Sequence, residues 1–261
     1  KNSVIASWWD YGYWITTLSD RTTLVDNSTL IDWQIKKMAY TLITTPEKSA
    51  KILGSHYTED ISPYLGEKNI LAFGGDLESD FQNNYQKIHG KSCQQTFKLD
   101  SYQLGIPEES CNPVTKGMDA DYVLIYLVGE RFYIDGMEQP LYTLEGGGDE
   151  SKKAWFAKIS NHQVSQFIQS DNVTPTPYYM ENSTLGKLTP FSIFKYVEPN
   201  TGRTFDQYYD GLVPVYVKNP KFLNPDTDPF YLVYASPSFY DKAPGVMNAV
   251  LVYKINPNYQ P

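Results

Sequence analysis

The run YVLIYLV, Tyr122 to Val128, is the longest purely apolar stretch of the 261-residue chain and constrains its fold most. It falls far short of the roughly 20 residues that cross a bilayer as a helix. A short continuous run of this kind, entered through Asp119-Ala120-Asp121, is the pattern of a strand covered on both faces, so other elements must supply the cover. Upstream, LIDWQIKKMAYTLIT places Ile31, Ile35, Met38, Ala39 and Leu42 on one side of a helix that Thr45-Pro46 ends, and EKSAKIL continues as a second helical stretch. TTLVDN, between this region and the N-terminus, reads as a brief extended segment closed by a turn at Asp26-Asn27. Downstream, PFSIFKYV, LVPVYVK, FYLVYAS and VMNAVLVYKI are separated by Asn, Pro, Gly and Asp turns, as antiparallel strands are. The expected class is α+β: a mixed helix and strand core over 1–53 and 117–162, an inserted subdomain over 54–116 where periodicity fades, and a mostly β part over 163–261.

Charge narrows the partners. With 22 Lys plus Arg against 30 Asp plus Glu, the net charge of -8 excludes nucleic acid as the principal ligand. The 22 tyrosines, 17 glycines and 17 prolines fit short strands and turns with amphipathic aromatic surfaces, a composition common outside the cytoplasm. Cys93 and Cys111 are either two thiols or one bridge, the bridge contributing roughly 3 kcal/mol. Asn27, Asn172 and Asn182 each open an Asn-x-Ser/Thr glycosylation sequon. The chain begins at Lys1 without methionine, basic leader or apolar leader, as a processed product or a piece of something longer would.

Several familiar signals fail. His56, His89 and His162 are isolated and lack metal-ligand spacing, and Asp119-Ala120-Asp121, though of a metal-holding form, leads straight into the apolar run and reads as a strand entry. Gly146-Gly147-Gly148 lacks the frame of a phosphate loop and reads as a flexible connector to a helix that Asp149 caps and that carries Trp155, Phe156 and Ile159 on its apolar side. The pentapeptide Trp8-Trp9-Asp10-Tyr11-Gly12 suggests a definite task. An indole N–H only donates, a carboxylate only accepts, and a hydroxyl does both, so two tryptophans and an aspartate can saturate one Ser or Thr hydroxyl. Gly12 leaves room for a backbone to approach, and Tyr11 and Gly12 shape the turn. The competing reading makes Trp8 and Trp9 core aromatics and Asp10 a cap for the helix that Trp14, Ile15 and Leu18 continue.

The longer stretch VIASWWDYGYWITTLSDRTTLVDNSTL resembles the signature region of the oligosaccharyltransferase catalytic subunit, the enzyme family of asparagine-linked glycosylation. DESKKAWFAKI resembles the family's second signature, the DK motif, with Asp149 and Lys152 in the matching positions and Phe156 where the motif has Met or Ile. FYLVYASPSF and NAVLVYKI are similar to the closing strands of archaeal members. The resemblance implies a soluble C-terminal domain on the extracytoplasmic face of a multi-spanning membrane protein. It implies that Trp8, Trp9, Asp10 and Lys152 bind the sequon Ser/Thr, with Tyr11, Gly12, Asp149 and Phe156 in support. The acceptor polypeptide would be one partner, and the dolichol-linked oligosaccharide another, held by a membrane domain that also carries the divalent metal (Mg or Mn). This chain alone would then hold no catalytic residue, no metal and no cofactor, and would not turn over. The alternative is a free-standing extracellular carbohydrate-binding or surface-layer domain.

Overall fold

The computed structural model describes residues 3–28, 32–54, 58–60, 114–116, 120–134, 136–144, 146–160 and 162–259. Cys93, Cys111, Ile31 and Thr29 of the first sequon lie outside them, as does nearly all of the 54–116 insertion.

The apolar run forms the first seven residues of β5 (Tyr122–Phe132), the axis of a nine-stranded mixed sheet. Its burial alternates: Val123, Ile125 and Leu127 are fully buried, while the residues between them are half-covered. This corrects the expectation of a strand equally covered on both faces: one face is fully buried, and the other is covered in part, with Tyr11 of the first helix packed edge-on against Tyr126. β11 (Gly245–Ile255) runs antiparallel to β5 without a break from Lys254↔Tyr122 to Gly245↔Arg131. β10 (Phe230–Ala235) continues the sheet beyond β11, and β6 (Leu141–Thr143), β9 (Val213–Lys218), β7 (Phe191–Val197) and β8 (Thr204–Phe205) continue it on the other side of β5. The four C-terminal strands read from the sequence are thus present and antiparallel, in one sheet with β5.

β5 shares its second edge between two short partners. β1 (Val4–Ala6) pairs in parallel with its start at Tyr122 and Val123, and β6 pairs antiparallel with its end at Glu130 to Phe132. The edge between them is left to a loop, described below. β1 also pairs with β2 (Thr22–Thr23), the extended segment expected there.

Helices α1 (Trp9–Ser19), α2 (Asp32–Ile43) and α3 (Pro46–Leu53) follow the sequence reading, except that Pro46 opens α3. A proline suits that place because the first turn has no partner for its N–H anyway. Met38, Ala39 and Leu42 of α2 are buried and Ile35 packs against them, as the spacing requires. α1 departs from expectation: Trp14 and Leu18 are 58% and 78% exposed, and it is Trp9 and Tyr11 of its first turn that pack against the core. β3 (Thr58–Asp60) and β4 (Val114–Lys116) pair antiparallel and bring the two ends of the insertion side by side.

A cluster of short helices closes the sheet: α4 (Lys153–Ile159), α5 (Val164–Phe167), α6 (Pro177–Asn182) and α7 (Thr184–Leu188), with α8 (Pro237–Tyr240) near β11. Ser183 caps α7 by accepting from the Gly186 N–H, and both the N–H and the hydroxyl of Thr184 donate to the Thr44 carbonyl beyond α2. The Lys221 ammonium joins this cluster to β7 by donating to the carbonyls of Met180, Gly186, Thr189 and Phe191. No helix among the described residues is long and apolar enough to cross a membrane.

Candidate functional site

The site grows from the end of β1. The Val4 N–H donates to the Asp121 carboxylate at 3.0 Å, so the aspartate at the strand entry fixes β1 beside β5. The chain then turns through Ser7 into Trp8, which holds the N-cap position of α1 without a side-chain cap bond, and Asp10 lies in the first turn. A carboxylate there is favoured by the positive end of the helix dipole. Gly12 is buried against the chain's own backbone: a Cβ would come within 2.1 Å of the Val25 carbonyl oxygen and 2.6 Å of the Asp26 Cα. Its small size therefore lets α1 lie on the segment that leaves β2.

The second part of the site comes from the edge of β5 that no strand fills. Gly146 and Gly147 take φ values of 99° and 110°, a region that disfavours side chains. Gly148 lies on β5 so closely that a Cβ would meet the Tyr126 carbonyl oxygen at 2.7 Å. The glycines read as a flexible connector are therefore required by the path of the chain. Asp149 then completes the strand edge with one residue. Its N–H donates to the Tyr126 carbonyl at 2.7 Å, and its Oδ2 accepts the Tyr126 N–H at 2.8 Å. Asp149 makes no side-chain cap bond, which corrects the reading of it as a helix cap. Its side chain instead docks the loop on the sheet.

The two parts meet through one lysine. The Lys152 Nζ lies 2.6 Å from Asp10 Oδ2, across 142 residues of sequence, and donates at 3.0 Å to the Tyr11 hydroxyl. That hydroxyl donates in turn to Asp149 Oδ1 at 3.0 Å. The ammonium also lies 4.8 Å from the centre of the Tyr11 ring, which packs edge-on against Tyr126. Asp10, Lys152, Tyr11 and Asp149 thus form one chain of hydrogen bonds from the surface to the sheet. Asp149 is only 1% exposed, and burial pushes its carboxyl up to about 6, although Tyr126, Lys152 and Tyr11 all pull it down. Burial, and then the neighbouring Asp149, raise the Tyr11 hydroxyl well above the ordinary tyrosine range.

The tryptophans differ. Trp8 is 2% exposed with its ring 4.6 Å from that of Phe156, whereas Trp9 is half-buried at its edge. Among the described residues neither indole N–H donates to another protein group. The Asp10 side chain is 34% exposed, and Lys152 engages Oδ2 alone, leaving Oδ1 available. Phe156 is fully buried and serves the core through Trp8, while Trp155, expected on the apolar side of its helix, is 52% exposed.

Two residues escaped the sequence reading. Glu150 and Lys153 form an ion pair of 2.8 Å at side-chain exposures of 5% and 3%, behind the Lys152 network. The shared spacing of Asp149/Lys152 and Glu150/Lys153 was visible, but nothing in it says which pair turns inward.

Residues 1–108 match the family model described as the STT3/PglB/AglB core domain. The dolichyl-diphosphooligosaccharide–protein glycosyltransferase subunit STT3 of Saccharomyces cerevisiae is 40% identical over 76 residues, 29% of this chain and 10% of the yeast protein. These matches support the oligosaccharyltransferase catalytic-subunit family. The corresponding subunit of Schizosaccharomyces pombe is 35% identical over 83 residues, covering 31% of this chain and 10% of that protein. Subunit STT3A of rice, Oryza sativa subsp. japonica, is 46% identical over 46 residues, 18% of this chain and 6% of its own length. The aligned region thus spans about a tenth or less of these relatives. The family match contains Trp8, Trp9 and Asp10 but ends before Asp149 and Lys152, which reach the site only through the fold.

Proposed function

We propose that this chain is the acceptor-reading part of an oligosaccharyltransferase catalytic subunit of the archaeal kind, positioned on the extracytoplasmic face of a membrane. The observation that carries the reading is the contact of Lys152 with Asp10, which joins the two signatures at one half-exposed point. In this reading the hydroxyl of the sequon Ser or Thr donates to Asp10 and accepts from an indole N–H of the Trp8-Trp9 pair. Lys152 holds the carboxylate at one oxygen and so aims the other. A bound peptide without the hydroxyl would cover these polar groups and leave them unpaired, which is how such a site rejects it. Binding the hydroxyl places the sequon asparagine, two residues earlier, for transfer of an oligosaccharide from a dolichol-linked donor to its amide nitrogen.

The family implies a divalent metal, Mg or Mn, at the bond-making centre. Among the described residues no cluster of three or more His, Cys, Asp and Glu side chains is arranged to hold one. The role proposed for this chain is binding and orientation of the acceptor.

The test is made in the full-length enzyme with a fluorescent sequon peptide. Asp10→Asn, Trp9→Phe and Lys152→Met are each expected to lower transfer by about tenfold or more, as loss of a hydrogen bond to a charged or buried group does, with unchanged circular dichroism. Near-normal transfer by all three overturns the reading. Trp8 is a poorer probe because its truncation would also open the core beside Phe156.

A further inference from the structure

The second sequon, Asn172-Val173-Thr174, lies at the tip of a hairpin closed by the Ile168↔Pro175 bridge. Asn172 is exposed, with φ 61°, a left-handed conformation that Asn tolerates, and its side chain borders an open groove of about 760 Å³. That size falls within the roughly 300–1,000 Å³ of small-ligand clefts. Gln169, Ser170, Tyr208, Tyr209 and Asp210 line the groove together with Asn172. Tyr209 is 57% exposed but braced edge-on by Phe205, and Tyr208 is braced the same way by Tyr196. Ser170 donates to Asp210 and so ties the hairpin to the tyrosine loop. Fixed aromatic rings bordered by amide, hydroxyl and carboxylate groups suit a pyranose, whose C–H face packs on a ring while its hydroxyls find polar partners.

The Thr that completes this sequon is out of reach. Thr174 is 2% exposed, its hydroxyl donates to Asp171 Oδ2 at 2.6 Å, and its N–H donates to Asp171 Oδ1 at 2.8 Å. A reader that must grip the hydroxyl cannot do so while the hairpin is formed. Asn182-Ser183-Thr184 is closed in the same way, with Thr184 fully buried and bonded to Thr44, but Asn182 is not among the residues that line this groove.

We propose that Asn172 is glycosylated before its hairpin folds, and that the attached sugar then lies in the groove over Tyr208 and Tyr209. The step joins the Asn172 amide nitrogen to the anomeric carbon of a polyprenyl-diphosphate-linked oligosaccharide. The bond from that carbon to the diphosphate breaks, the lipid diphosphate leaves with the electron pair, and the amide gives up one proton. The proposal rests on the extracytoplasmic placement proposed above and not on catalysis by this chain.

Two measurements test it with an oligosaccharyltransferase of demonstrated activity, so that failure here leaves the acceptor-reading proposal untouched. First, a synthetic peptide spanning residues 168–178 and the folded, unmodified chain are offered as acceptors and followed by glycopeptide mass spectrometry. The peptide is expected to be modified at Asn172 at least tenfold faster; equal rates, or a peptide that is not modified, overturn the proposal. Second, amide hydrogen exchange at 208–210 is compared between the glycosylated protein and Asn172→Asp, which keeps a residue tolerant of the left-handed turn. Exchange is expected to be several-fold slower with the glycan present, and Tyr209→Ala is expected to erase the difference. Exchange at 208–210 that ignores the glycan overturns the groove assignment.

Discussion

Asp149 carries an unusual load for one side chain: it completes a strand edge, accepts from Tyr11 and faces Lys152, all at 1% exposure. Its carboxyl is raised to about 6 from 3.8, chiefly by burial, so the folded chain holds this proton more tightly than the unfolded chain. Its contribution therefore favours folding most below about pH 4, declines as pH rises from about 4 to about 6, and is level above. The span corresponds to about 3 kcal/mol at 1.36 kcal/mol per unit. Denaturant unfolding of the wild type and Asp149→Asn across pH 4 to 7 is expected to show this slope in the difference between them; a flat difference would mean that the carboxylate is fully compensated by its donors. At this scale the sequence was informative about chemistry and silent about placement. Donor and acceptor inventory raised Trp8, Trp9 and Asp10 as candidates beside a core reading, and the resemblance of the longer stretch tipped the choice. Neither could show that Trp8 is core, that Gly12 makes room for Val25 and Asp26, or that Asp149 bonds to a strand instead of capping a helix, because each depends on a partner distant in sequence.

Elements were legible where one face decides their fate. α2 follows from its buried stripe and β11 from its regular alternation, while β7, β9 and β10, whose burial is irregular, were legible from their apolar and aromatic residues between turn signals; α1 exposes Trp14 and Leu18 and keeps its place through Gly12 and the Asp10–Lys152 bond. The turn at 150–152 was read only in part, since its two acid–lysine pairs look alike in sequence. The inner pair, Glu150–Lys153, is nearly free of solvent, and removing one partner of such a pair typically costs about 3–5 kcal/mol while replacing both by apolar groups costs little. Lys153→Met is accordingly expected to destabilise the chain by about that amount, with Glu150→Leu/Lys153→Met recovering most of it in urea titrations. A double variant as unstable as the single one would show that the pair is held for its other contacts. Because the same turn carries Lys152, the single variant is also expected to loosen the Asp10 contact.

At the scale of the whole molecule, the residues proposed to read the acceptor depend on the last strand of the chain. β11 is the long partner of β5 and joins β10 to the sheet, and the backbone of Tyr126 in β5 is the mount for Asp149 and hence for Lys152. Met247, Ala249 and Leu251 of β11 are fully buried in the same core as Val123, Ile125 and Leu127. A chain stopped after Lys242 would expose that apolar stripe and leave β5 paired on one edge only, with β1 and β6 at its ends and the Asp149 loop between them. Such a chain is expected to lose near-ultraviolet circular dichroism and cooperative unfolding, and with them the pH 4 to 6 slope assigned to Asp149. One limited to residues 1–108 would retain the family signature but not Lys152, and should not discriminate a sequon peptide from its Ala counterpart by fluorescence titration of Trp9. If the chain ending at Lys242 unfolds as cooperatively as the intact one, then β1 and β6 suffice to position β5, and the site is a local structure of the first 160 residues. The geometry argues the opposite, since β1 and β6 together pair with five residues of β5 while β11 pairs with ten.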